Sequence, residues 1–198
     1  MNDYGERINE YKDNNRSNIR FLIICLFVFA WLAAFIGANR YFFYYIEVSG
    51  PSMMDTLQNE DVLCVARRKT PERGSVVIIA GEKGDETHLI KRVIGKEGDI
   101  IVIENGEVYL NGEKLKEEYI RGKTYVNKLP ARKEYVVGKS EIFYLGDNRE
   151  NSSDSRVYGC CTEEQIVGVV PEWAMSGFMK SLSKARANVS EWFVSLFT

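Results

Sequence analysis

Residues 100–109 read IIVIENGEVY, two short β-branched runs that meet at Asn105-Gly106. Both central positions of a type I′ turn need positive φ, which asparagine and glycine tolerate, so the stretch is expected to form a β-hairpin. Asn111-Gly112 repeats the signal a few residues on. Working outward, Ser75-Val76-Val77-Ile78-Ile79, Leu89-Ile90-Lys91-Arg92-Val93-Ile94, the stretch Glu134 to Leu145 and the run Ile166 to Val170 share the short strand texture. Pro130, in the charged stretch Lys123 to Lys133, marks a loop. Residues 46–175 are therefore expected to form a mainly β, antiparallel domain. Helical periodicity returns only in the tail. There Phe178, Leu182, Ala185, Val189, Trp192 and Leu196 fall at i+4/i+3 spacing, so residues 176–198 are expected as an amphipathic helix. That helix suits a membrane surface or a seat on the β domain equally well.

In front of the β domain the texture changes. Phe21 to Ala38 reads FLIICLFVFAWLAAFIGA, without a charge or a hydrogen-bonding amide. As a helix it spans about 27 Å at about 1.5 Å per residue, close to the bilayer core. It shows no polar face, and no small-x-small cleavage pattern near its end, so an uncleaved single-pass anchor is expected. The aromatics Tyr41 to Tyr45 suit the headgroup layer, which places the anchor and its interface at 21–45. Arg7, Lys12, Arg16 and Arg20 precede the run, and Arg40 alone follows it closely. By the excess of basic residues, segment 1–20 is expected in the cytoplasm and 46–175 outside the plasma membrane.

Composition removes several function classes. The 198 residues carry 26 basic and 28 acidic side chains, net charge −2, so no basic field points to nucleic acid. One histidine excludes sites built on several histidines, and no metal or other cofactor is expected. Four cysteines without a CxxC pair do not make a disulfide scaffold. Cys64, Cys160 and Cys161 are free thiols or involve a bond to Cys64, and Cys25 fills space in the anchor.

Three blocks stand out for chemistry: Ser49-Gly50-Pro51-Ser52-Met53-Met54-Asp55-Thr56-Leu57, the strand around Lys91, and Gly146-Asp147-Asn148-Arg149-Glu150-Asn151-Ser152-Ser153-Asp154-Ser155-Arg156. A lysine among Ile90, Val93 and Ile94 is expected to be desolvated, which disfavours the ammonium and lowers its pKa. A neutral lysine beside a hydroxyl can act as general base, as in Ser–Lys variants of the serine nucleophile. From the residues alone the rival is a strand lysine that snorkels to solvent.

In their order behind one anchor, SGPSMMDTL, RGSVVII, LIKRVIG and GDNRENSSDSR closely resemble bacterial type I signal peptidases, roughly over residues 15–172. The last block carries the most specificity. The resemblance implies a mainly β fold of two antiparallel sheets. It further implies Ser52 as nucleophile and backbone oxyanion donor, Lys91 as general base, and Ser152 as the hydroxyl that orients the amine. Arg92 with Asp147, and Asp154 with Arg156, would be structural pairs; Met53, Leu89 and Ile90 would bind substrate. The implied activity is removal of signal peptides from exported preproteins at the membrane surface, after small residues at −1 and −3, through an acyl-enzyme. The implied partners are preproteins from the secretion channel and membrane lipid, with no nucleic acid. The alternative is a non-catalytic, membrane-anchored pseudopeptidase that binds exported chains. Three positions depart from the usual pattern, Asp55 for proline, Ser75 for aspartate and Leu89 for tyrosine; some relatives also carry a hydroxyl where this chain has Gly50. The Asp55 carboxylate either raises the Lys91 pKa from nearby or points to solvent.

Overall fold

The computed structural model describes residues 3–81, 87–127 and 132–176, with residues 3–17 described by backbone alone. Pro130 and the tail beyond Ser176, where a loop and an amphipathic helix are expected, lie outside the described residues. The chain divides into two compact units between Phe42 and Phe43.

The first unit is helix α1, Asp3–Phe42. Its portion Asn18–Phe42 has a mean hydropathy of 2.7 over its most apolar window, and none of that window is buried by protein. Phe27 and Phe29 are each 72% exposed, and Leu22, Leu26, Trp31 and Phe35 point outward as well. A helix apolar on every side and covered by none of the described residues has acyl chains as its natural solvent.

The second unit is mainly β, as the strand texture predicts. Its strands are β1 (Phe43–Glu47), β2 (Val62–Ala66), β3 (Val76–Ala80), β4 (His88–Lys96), β5 (Ile100–Glu104), β6 (Glu107–Leu110), β7 (Glu113–Lys114), β8 (Lys133–Val136), β9 (Glu141–Leu145), β10 (Cys161–Thr162) and β11 (Ile166–Val170). They form a seven-stranded sheet, β1-β2-β11-β3-β4-β9-β10, and a four-stranded sheet, β7-β6-β5-β8. Every ladder in both is antiparallel. The hairpin expected at 100–109 is β5–β6, with Asn105 at φ 53° and Gly106 at φ 84°. Asn111 and Gly112 repeat those angles between β6 and β7. The aromatic run expected at the membrane interface is divided: Tyr41 and Phe42 end α1, whereas Phe43, Tyr44 and Tyr45 begin β1 and pair with β2.

The core explains why β3 is a continuous apolar run instead of an alternating one. Val76 and Ile78 pack with Met53, Leu57, Leu63 and Val65 on one side. Val77 and Ile79 pack with Val93, Tyr144 and Val169 on the other. A strand buried on both faces has no reason to alternate. A third cluster, around Ile101, Ile103, Val108, Phe143 and Leu145, joins the small sheet to the large one. Along β4 the pairing changes partway. β3 pairs with His88 through Arg92, while β9 pairs only from Arg92 to Lys96, across a bulge between Val93 and Gly95. The second edge of β4 at His88 to Lys91 is therefore free of any strand among the described residues. The cysteines are all free thiols. Burial pushes Cys160 up to about 11 and Cys161 up to about 12, which makes both poor nucleophiles.

Phe143 is fully buried, with its ring 4.7 Å from that of Tyr135. Phe143→Ala is expected to lower stability by about 3–5 kcal/mol. Val136→Ala, at a side chain 66% exposed, should stay within about 0.5 kcal/mol of the parent. Denaturant unfolding of the detergent-solubilised chain, followed by tryptophan fluorescence, measures both.

Candidate active site

The turn that carries Ser52 is pinned from both sides of the residue. Met53, 1% exposed, and Leu57, fully buried, sink into the core and draw the turn onto the large sheet. The turn closes on itself through Met54 N–H to Pro51 O (3.2 Å) and Leu57 N–H to Met53 O (2.8 Å). From the opposite side Asn148 donates its backbone N–H to Ser52 O (3.0 Å) and its Nδ2 to Pro51 O (3.1 Å). Gly146 lies directly beneath. A Cβ added there would stand 2.6 Å from Ser52 O and 2.2 Å from Ser152 Oγ, so only glycine lets the loop approach this closely.

Lys91 reaches this turn from β4. Its side chain is only 3% exposed, and Nζ lies 2.8 Å from Ser52 Oγ and 3.1 Å from Ile90 O. The alternative of a lysine snorkelling to solvent is excluded by that burial. Desolvation lowers the Lys91 pKa to about 8, against the opposing pull of Asp154 and Asp147, with Arg156 adding to the lowering. His88, on the same strand, falls on the opposite face by alternation. Asp55 plays no part in this field. Its carboxylate is 81% exposed and faces Arg121 at 3.4 Å, so of the two readings of Asp55 the solvent-facing one stands.

Two ion pairs frame the Ser52–Lys91 contact. Arg92 makes a two-pronged contact with Asp147, Nε to Oδ1 at 2.8 Å and Nη2 to Oδ2 at 2.6 Å, and Asp147 also accepts from the Thr56 hydroxyl. Arg156 grips Asp154 in the same way, at 2.8 Å for each prong, while Asp154 accepts from Gly146 N–H at 3.0 Å. These are charge-assisted bonds in a dry setting, which fix geometry as well as contributing energy. Asp154 also caps the short helix α2, Ser155–Tyr158. Ser152 is near but not engaged: its hydroxyl is buried without a hydrogen-bond partner among the described residues, and the Lys91 bonds go to Ser52 and Ile90.

A cleft of about 530 Å³ opens beside the pair. Val48, Met53 and Ile90 form its apolar floor, Ile46 and Leu89 its walls, and Glu47 and His88 its rim. Met53, Leu89 and Ile90 thus line one cavity together with Ser52 and Lys91. Gly50 sits at its edge with φ +94° and donates its N–H to Asn59 Oδ1 at 3.0 Å. A serine at 50 would be strained in that backbone, so a hydroxyl carried there by some relatives is not interchangeable with glycine here.

Several residues of the site had no individual sequence signal. Asn148, Arg149 and Thr56 lie inside the conspicuous blocks but differ in nothing from ordinary loop polar residues. Arg149, 1% exposed, donates to Thr124 Oγ1 and to the Gly146 carbonyl and pairs with Glu117. Glu117 lies in a stretch with no distinguishing pattern, so only the fold reveals the partnership.

The signal peptidase family, peptidase S26, matches residues 19–174 of this chain. Signal peptidase I S of Bacillus subtilis (strain 168) is 33% identical over 71% of this chain and 81% of its own length. Signal peptidase I of Bacillus amyloliquefaciens is 38% identical over 61% of this chain and 68% of its own. Signal peptidase IB of Staphylococcus aureus (strain COL) is 37% identical over 66% and 78%. The match takes in the membrane-length helix, the Ser52 turn, the Lys91 strand and the 146–156 loop alike, and the chain belongs to the bacterial type I signal peptidases of family S26.

Proposed function

We propose that the chain removes N-terminal signal peptides from exported preproteins, with Ser52 as nucleophile and Lys91 as general base. The observation that carries this reading is the 2.8 Å contact between Nζ and Oγ, made by a lysine whose burial lowers its pKa to about 8. In the neutral amine the nitrogen holds a lone pair, and the serine hydroxyl donates to it. As Oγ attacks the scissile carbonyl, its proton passes to Nζ and a tetrahedral intermediate forms, which becomes the acyl-enzyme when the C–N bond breaks. The ammonium then protonates the departing amine of the mature protein. The same amine activates a water that hydrolyses the ester. The Ser52 N–H is assigned to the developing oxyanion, a role in which one donor contributes about 10²–10³ in rate.

The substrate is assigned to the cleft as an extended strand along the free edge of β4, at Leu89 and Ile90. Met53, Ile90 and Val48 leave room there for small side chains at −1 and −3. Ser152 is assigned the role of orienting the amine, for which its buried hydroxyl is unpartnered among the described residues. The helix anchors the enzyme where signal peptides lie, with residues 1–20 on the cytoplasmic side and the β domain outside the plasma membrane. The same location places preproteins and lipid among its partners. A pseudopeptidase would need no hydroxyl and lowered-pKa amine in contact, which favours the catalytic reading.

Ser52→Ala and Lys91→Ala are each expected to reduce cleavage of a model preprotein by at least about 10⁴-fold, with an unchanged circular dichroism spectrum. Lys91→Arg should fail equally, because a guanidinium does not give up its proton at working pH. Wild-type turnover by either alanine variant would remove the assignment.

The neutral amine is the active form, so kcat/KM should be low where Lys91 is protonated and rise as pH passes through about 8. Asp55→Asn is expected to superimpose on the wild-type profile, since the Asp55 carboxylate is exposed and held by Arg121. Rate measurements across that pH range check the two statements together.

A further inference from the structure

Between β7 and β8 the chain crosses the catalytic loop as a strap, residues 115–126. Arg121 donates its N–H to Asp147 O at 2.8 Å, and Arg149 returns a bond to Arg121 O at 2.9 Å, a parallel bridge to the loop. Glu117 pairs with the buried Arg149, whose Nε donates to Gly146 O at 3.1 Å. The Arg92 guanidinium lies over the Tyr119 ring, 3.9 Å from Cζ to the ring centroid, and Tyr119 donates its hydroxyl to Glu117 Oε1 at 2.9 Å. Among the described residues Lys91 bonds to Ser52 and Ile90, and the strap residues Glu117, Tyr119 and Arg121 are not members of the ion pairs implied by the family resemblance.

The guanidinium of Arg92 is a flat cation with an acid at one edge and an aromatic face beneath it. Asp147 fixes the edge and the Gly74 carbonyl accepts from Nη1 at 2.8 Å. Those bonds lie in the plane of the guanidinium, so what resists its tilting is the ring stacked against it. Arg92 is the residue after Lys91, so a tilt there is transmitted to the base through one peptide unit.

We propose that Tyr119 is a positioning residue of the Ser–Lys site: its ring holds Arg92 square on Asp147, and through that pair keeps the base strand and the 146–156 loop in working register. The proposal rests on the reading of Ser52 and Lys91 given above. With the ring gone, Arg92 loosens from Asp147 and neutralises that carboxylate less. The charges acting on Lys91 are Asp154 and Asp147, which favour its ammonium, and Arg156, which opposes it. A less neutralised Asp147 makes Lys91 hold its proton more firmly, so the activity limb moves to higher pH.

The experiment is kcat and KM for a model preprotein against pH, on the full-length chain in detergent. It compares wild type, Tyr119→Ala, Tyr119→Leu and Tyr119→Phe, with Ser52→Ala as the background. Tyr119→Ala and Tyr119→Leu are expected to lose about tenfold in kcat near neutrality, with KM within about twofold, and to shift the limb alkaline by about half a pH unit. Tyr119→Leu keeps apolar bulk without a π face, so it carries the test if the alanine variant does not fold. Tyr119→Phe keeps the face and should recover both kcat and the limb. A uniform fall in rate with an unmoved limb in the leucine variant would make Tyr119 merely structural and overturn the proposal, as would wild-type behaviour. Failure of the underlying reading is seen separately, as activity surviving in Ser52→Ala.

Discussion

The site depends on one buried carboxylate. Asp147 is fully buried, and its two oxygens receive Arg92 from β4 and Thr56 from the Ser52 turn, while its own backbone belongs to the loop over Gly146. Three segments far apart in sequence are thereby held to a common centre. A carboxylate so placed cannot be left without its cation: breaking a buried pair from one side costs about 3–5 kcal/mol, because the remaining charge stays in a dry setting. The same bonds that brace the dyad are therefore among those that the fold can least spare.

Around this centre the loop 146–156 acts as a frame whose buried charged groups, Asp147, Arg149, Asp154 and Arg156, are all used on backbone or on a polar partner. Asn148 holds the nucleophile turn, Arg149 the strap, and Asp154 the Gly146 N–H. That accounts for the composition of the block. A dense run of Asp, Asn, Arg and Ser at the end of a buried strand is costly unless each group finds its bond. It also separates two functions of charge in the site. Arg92 and Arg156 stabilise geometry through their acids, whereas the reactivity of Lys91 comes first from the absence of water around it.

Local patterns were enough to read β3, β4, β5, β6, β8, β9 and β11, though not β2 or β10, because β-branched runs and Asn-Gly pairs report backbone preference directly. Strand β11 spans the residues suggested by its texture, and the β5–β6 hairpin turns at Asn105-Gly106. Strand β1 was hidden, because Phe43 to Tyr45 are aromatic for a sheet as readily as for a headgroup layer. The burial of Lys91 was legible in its apolar neighbours. The closure of the site by Glu117 and Tyr119 was not, since a long-range ion pair or ring stack leaves no mark on the residues adjacent to it in sequence. The Asp55 question was undecidable for a related reason: whether a charge matters depends on the direction in which it points.

The burial of Lys91 has one last consequence. Its amine is dry on the protein side, while the cleft on the other side stands open to water. An extended chain laid along β4 would strip that remaining water and push the amine further toward its neutral form. Base strength would then depend on occupancy. Under the proposed mechanism a filled cleft would hold a larger share of the neutral amine than an empty one. For the peptidase proposed above, such a dependence would be a form of discrimination that requires no additional residue.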